Sequence, residues 1–265
     1  MLTLYRRATS AAPDARAAAL IVGALLLFSA SHALAADVAV LTAGSFKPVL
    51  LDLAPAFDAK THDTLTISND TAGGVTARIV RGEEADLVIL PVASLDALTA
   101  QGKVVADTVV PVAKSGIGVV VKKGAPLPDI STVEAFKRTL LDAPSIAYID
   151  PAAGGSSGIY IAKLLVQLGI ADAVRSKTVL VPGGLVGSRI DNGEAAIGLQ
   201  QMSELRSVSG VTLVGPLPAE IQNYTIYAAA IPKASARPAA GRALLSLLRS
   251  EAATSALTGR GLELP

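Results

Sequence analysis

Short runs of β-branched and apolar residues alternate along the chain with longer stretches of helical period. The runs VAVLTA (38–43), TLTISN (64–69) and ADLVIL (85–90) read as strands, each followed by a helical pattern, over 49–60, 75–81 and 93–101. Beyond them, 117–124 (IGVVVKKG) is a strand, 126–129 (PLPD) a turn, and Ser131 or Thr132 with Glu134 opens a helix that reaches Leu141. Strands follow at 145–150, 177–182, 195–200, 211–216 and 225–231. Helices are expected over 158–168, over 186–192 and, as one long element, over 237–257. This alternation predicts an α/β protein with a largely parallel sheet and helices on its faces.

Four strand-to-helix junctions share a chemical character. They are 42–47 (TAGSFK), 69–74 (NDTAGG), 150–158 (DPAAGGSSG) and 182–184 (PGG). A helix start exposes unpaired N–H groups and the positive end of a dipole. Glycine lets a ligand approach the backbone, and Ser or Thr adds a hydroxyl donor. Such a junction suits an anion, and open α/β sheets bind ligands beyond the carboxyl ends of their strands. Gly, Ser and Thr are also ordinary loop and cap residues; the recurrence of the pattern is what argues for binding. It nominates Ser45, Thr71, Gly73, Ser156, Ser157 and Gly184 as ligand-binding residues. Lys47 and Arg189 stand beside these junctions as cations for a carboxylate, and Tyr160 could offer its phenol. Arg189 reads equally as a surface residue, and Tyr160 as a half-buried core tyrosine.

The N-terminus changes the inventory. Arg6, Arg7 and Arg16, the apolar stretch 17–28 and the triplet Ala33-Leu34-Ala35 read as a secretory signal cleaved after Ala35. Twelve apolar residues fall short of the ~20 that span a bilayer; the competing reading is an uncleaved anchor. Without residues 1–35 the chain keeps 20 basic and 21 acidic side chains, a net charge of −1. That balance argues against nucleic acid and against a polybasic membrane patch. There are no cysteines, so neither disulfides nor thiolate chemistry. One histidine, His62, remains, too few for a histidine-built metal site. It also disposes of a decoy: 154–158 (GGSSG) matches the G-x-S-x-G nucleophile elbow, but His62 lies upstream of it, where the elbow needs a later histidine.

The residues 43–46 (AGSF), 72–79 with 85–89 (ADLVI), Asp150-Pro151 with Gly158-Ile159-Tyr160, and 193–199 occur in an order and spacing that resembles the periplasmic molybdate-binding proteins of ABC importers, over nearly the whole mature chain. The resemblance implies a two-lobed type II periplasmic binding protein fold with a hinge and an interlobe cleft. Its lobes would be residues 36–116 plus 220–265, and residues 117–219. It also implies a periplasmic monomer with a small anionic ligand, possible partnership with an ABC permease, and no cofactor or metal. In that family neutral donors hold the anion. Ser45 matches the first serine, but the second falls at Ala72 or Gly73, where Thr71 stands in, and the tyrosine position holds Gln201. These departures suggest a larger ligand with separate acceptor groups. The tracts 69–73 and 150–160 also look like the branch of the family that includes aconitate isomerases. That likeness implies a 1,3-proton shift between trans- and cis-aconitate, with Tyr160, Lys47 or Asp70 exchanging the proton. The alternative is a solute receptor for molybdate or a related oxyanion, without catalysis.

Overall fold

The computed structural model describes residues 37–265; the expected signal and its cleavage site lie outside them. Among these residues eight strands form one continuous path of pairing, β2-β1-β3-β9-β4-β7-β5-β6, and a ninth, β8, lies off it on β4. The first half holds β1 (Asp37–Ala43), β2 (Thr64–Asp70) and β3 (Leu87–Pro91), mutually parallel. The second holds β5 (Ile146–Ile149), β6 (Thr178–Val181) and β7 (Ile197–Gln201), also parallel.

The antiparallel strands are the ones that join these halves. β4 (Val110–Lys122) pairs β9 (Tyr224–Ala230) from Val110 to Gly116. From Ile117 on, it pairs β7 on one side and β8 (Val211–Pro216) on the other. The side chain of Gln222 grips this switch, donating to the Ile117 carbonyl and accepting from the Ile117 N–H, both at 2.9 Å. The expectation of a largely parallel sheet therefore holds within each half and fails at the crossing, where the chain runs back through strands β4 and β9.

Ten helices cover the two halves among the described residues. They are α1 (Lys47–Thr61), α2 (Ala72–Val80), α3 (Val92–Ala100), α4 (Val133–Asp142), α5 (Ser156–Gln167), α6 (Ala171–Arg175), α7 (Val186–Asp191), α8 (Met202–Leu205), α9 (Pro238–Leu247) and α10 (Glu251–Gly259). The long helix expected over 237–257 is broken: Ser250 caps a new start, its hydroxyl accepting from the Ala253 N–H.

Each half has its own core. In the first, Phe46, Leu50, Phe57, Leu87, Ile89 and Tyr227 are all but sealed from solvent. In the second, the two-residue period of strands splits the apolar run of β4. Val119 and Val121 enter one core with Phe136, Leu140 and Leu164, while Val120 enters another with Val186 and Ile190. Burial on both faces is why this strand reads as an unbroken apolar run. Helix α5 lies so close to β5 that a Cβ on Gly158 would stand 2.1 Å from the Ile149 carbonyl oxygen.

Candidate functional site

Five strands end at one place. Beyond the carboxyl ends of β1, β2, β5, β6 and β7 lies a cavity of about 350 Å³ lined by residues of both sheet halves, at the lower end of the roughly 300–1,000 Å³ usual for small-molecule sites.

The first wall begins where β1 passes through a tight turn, Gly44–Phe46, into α1. It carries Ser45, which is buried, and Lys47 at the first position of α1. The start of α1 has no side-chain cap, but it offers a ligand little: the Lys47 N–H donates to the Gly44 carbonyl, and Pro48, the second residue, has no N–H. The end of β2 gives Asn69 and Asp70, followed by Thr71, and from the residue after α10 comes Arg260. Arg260 is anchored by Asp52, its Nε and Nη2 each 2.6 Å from a carboxylate oxygen. That bond holds the Asp52 carboxyl below its ordinary range.

The second wall carries Ser156 and Ser157 at the start of α5, which also has no side-chain cap, then Gly184, Ser207 and Glu204. Glu204 lies on α8, four residues past Gln200. Its Oε1 occupies the space where Gly44 lacks a side chain, 2.7 Å from where a Cβ would stand. It keeps an opening to the cleft, yet the carboxyl is surrounded by protein. Burial pushes it up to about 8, against the opposing hydrogen bond of Gln200. At the floor, Tyr227 of β9 is in the cleft lining, its ring 6.3 Å from that of Phe46. Burial, and then the charge of Glu204, push its phenol up; hydrogen bonds with Ser45, Ser156 and Thr225 oppose them.

A clasp joins the walls beside the cavity. Thr71 Oγ1 accepts from the Gly74 N–H (3.0 Å), capping α2, and donates to the Ala153 carbonyl (2.5 Å). The Gly73 N–H donates to the Gly154 carbonyl at 3.1 Å. A Cβ on Gly73 would come within 2.9 Å of the Gly154 Cα. Gly154 itself has φ +73°, in the left-handed region that favours glycine.

Of the residues nominated from sequence, Ser45, Lys47, Asp70, Thr71, Ser156, Ser157 and Gly184 line the cavity. Four stand elsewhere. Gly73 is in the clasp, its N–H already taken. Tyr160, one turn into α5, packs on the second core and donates its hydroxyl to the Ile221 carbonyl at 2.8 Å. Arg189 is held at the surface by Glu194, 2.9 Å from Nη1 to Oε2; the chain folds back after α7 and brings this carboxylate to it. Gln201 is buried at the strand crossing. With its NH2 toward the Ser115 and Gly116 carbonyls (3.0 and 3.2 Å), its oxygen accepts from the Thr225 hydroxyl. The opposite orientation would set oxygen against oxygen.

Two of the nominated helix starts are also less open than expected. At α2, Thr71 and Gly154 accept from the Gly74 and Gly73 amides, and Asp70 accepts from that of Thr71. At the short α7, the Val186 N–H donates to Gln200 Oε1 (2.8 Å). With the Lys47 N–H of α1 taken by Gly44 and Pro48 lacking one, the open start is that of α5.

Glu204, Tyr227 and Arg260 escaped the sequence reading. Glu204 follows a strand-to-helix junction like the other four, but one with Gln and Met where the others have glycine and hydroxyls. A carboxylate just past a buried strand end was the available signal.

A family model for bacterial extracellular solute-binding proteins matches residues 38–263. The chain belongs to that family, and it has the mixed α/β, two-lobed fold of the periplasmic binding proteins. The structure is similar to the periplasmic molybdate-binding protein of Azotobacter vinelandii, with TM-score 0.71 and 22% identity, covering 86% of this chain and 99% of that one. It is also similar to the sulfate-binding protein of Mycobacterium tuberculosis, with TM-score 0.71 and 19% identity, over 86% and 87% of the two chains. In sequence, it is 37% identical over 253 residues to an aconitate isomerase of a Pseudomonas species, covering 92% of this chain and 95% of that protein.

Proposed function

We propose that this protein is an aconitate isomerase, interconverting trans- and cis-aconitate by a 1,3-proton shift in the cleft. The observation that carries the reading is the spread of anchors around one ligand-sized space. Lys47, Arg260 and the open helix start of α5 sit at separate points of the cavity wall. A tricarboxylate needs separated cationic and N–H anchors; a compact tetrahedral oxyanion needs one tight cage of neutral donors. The near full-length likeness to an aconitate isomerase supports the same reading.

The lobes in this account are residues 36–116 plus 220–265, and residues 117–219, which agrees with β4 changing partners between Gly116 and Ile117. The protein is a periplasmic monomer, released by cleavage after Ala35. Membership of an extracellular family supports that location, and no helix among the described residues is long and apolar enough to cross a membrane.

One observation favours a second reading, that of an importer's solute receptor for an oxyanion. Ser45 and Ser156 come together on the Tyr227 phenol, a neutral donor cluster at the floor. Incubation of purified protein with trans-aconitate, with cis-aconitate followed by chromatography, separates the two. Catalytic conversion supports the isomerase. No conversion, with tight molybdate binding by calorimetry, overturns it in favour of the receptor.

A further inference from the structure

Among the described residues lining the cavity, two side chains are acidic, Asp70 and Glu204. They differ in surroundings. Asp70 is exposed, and its Oδ1 accepts from the Thr71 N–H at 2.7 Å. Glu204 is enclosed where the two walls meet, its Oε1 against Gly44 at the start of the first wall and its helix rooted in the second. Tyr227 faces it from the floor and shares hydrogen bonds with a serine of each wall. A ligand anchored through its carboxylates by both walls must lie across this position.

Resting on the isomerase reading, we propose that Glu204 is the catalytic acid–base residue, carrying the proton between the two ends of the substrate's allylic system. The Glu204 carboxylate takes a proton from the methylene carbon; the C–H electron pair becomes a delocalised allylic anion, conjugated to the neighbouring carboxylates. The Glu204 carboxyl then gives the same proton to the former vinylic carbon. The double bond has moved by one position, its new geometry set by the orientation of the methylene arm when the proton leaves, and Glu204 ends as it began. No other reactant enters.

The surroundings suit the task. A carboxyl near 8 is a far stronger base than an ordinary one, and it is still ionised in a useful fraction near neutrality. Tyr227, its phenol pushed up by burial and by the charge of Glu204, stays neutral beside it. On the elements packed against α8, the other charged groups are engaged or exposed. Lys114 is with Glu263, Arg189 with Glu194, Asp191 against Gly210, and Lys122 in solvent; on α8's own C-cap, Arg206 lies against Gly261.

The test is Glu204→Gln, which keeps the shape and removes the base. The variant should bind trans-aconitate with a Kd close to that of the wild type by calorimetry, and turn it over at least about a hundredfold more slowly. In the wild type, kcat/KM should rise with pH and level off above about 8. Turnover by Glu204→Gln within a few-fold of the wild type overturns the role of Glu204 and leaves the isomerase reading standing. Absence of turnover by the wild type overturns that reading, and this proposal with it. Should Glu204→Gln fail to fold, the wild-type profile decides, because a kcat/KM independent of pH between 6 and 9 contradicts a base of this kind.

Discussion

The two walls of the cleft are built alike and equipped differently. Each presents the start of a long helix without a side-chain cap, α1 on one side and α5 on the other, beyond the ends of parallel strands. The first wall adds fixed charge at its surface: Lys47, Asp70 and an Arg260 held by Asp52. The second adds hydroxyls, a glycine and one enclosed carboxyl. A charge at the surface stays solvated and can hold a partner; a carboxyl enclosed by protein is driven toward its neutral form and can exchange a proton near neutrality. The difference teaches that one scaffold can add a proton-exchanging group to one side of a cleft that both sides use for holding, without changing its topology.

Removing the reacting group gives the largest expected effect, and stability reads it independently of turnover. Between the ordinary value of 4.5 and about 8, the folded state binds a proton at Glu204 that the unfolded state has released. Stability therefore falls as pH rises through that window. Glu204→Gln should abolish the fall and have a higher Tm than the wild type at pH 8, by scanning calorimetry. Parallel Tm curves for the two proteins from pH 5 to 8 would mean that the carboxyl is not perturbed.

The clasp between the walls comes next. Gly73→Ala places a methyl on the Gly154 backbone, where overpacking costs roughly 1–3 kcal/mol. The walls can relieve that clash by separating, so the loss should appear in ligand affinity, about tenfold or more, with little change in Tm. A large drop in Tm with unchanged affinity would show the clasp to be part of the folded core instead.

The holding wall is sharpened by a pair of cation substitutions. Lys47→Gln should weaken aconitate binding by about tenfold, the scale of a lost charge-assisted hydrogen bond of ~1.5–3 kcal/mol. Arg189→Gln should leave it unchanged, since Arg189 is held by Glu194 away from the cavity. Equal losses in both would erase the distinction between wall and surface. The smallest effect belongs to Asp52→Asn. Its ion pair with Arg260 is about a third exposed, so removal should cost no more than about 1 kcal/mol by urea denaturation. Because Asp52's carboxyl is lowered, this contribution is present above its ordinary value of 3.8 and disappears as pH falls through its lowered one.

Much of the architecture was legible from hydrophobic period, because β1, β3 and the second half of β4 are apolar runs buried on both faces. The first half of β4 was not legible. Pro111, Lys114, Ser115 and Gly116 interrupt the apolar pattern, and pairing with β9 makes it a strand all the same. Ser45, Thr71 and Ser156 were found because glycine-rich strand ends announce themselves locally. Arg260 and Tyr227 were not, because they reach the cavity from segments whose local pattern is that of a helix end and a core strand. Arg189 and Tyr160 were nominated by proximity in sequence, and other partners claim them first: Glu194, five residues on, and the distant Ile221 carbonyl.

The central claim, that both walls hold a tricarboxylate while a carboxyl of the second moves its proton, meets its most direct test in proton NMR of the wild-type protein with trans-aconitate in D2O. The account predicts that the trans signal decays to an equilibrium mixture with cis-aconitate. A spectrum in which bound trans-aconitate persists unchanged, at enzyme concentrations equal to the ligand, would contradict it.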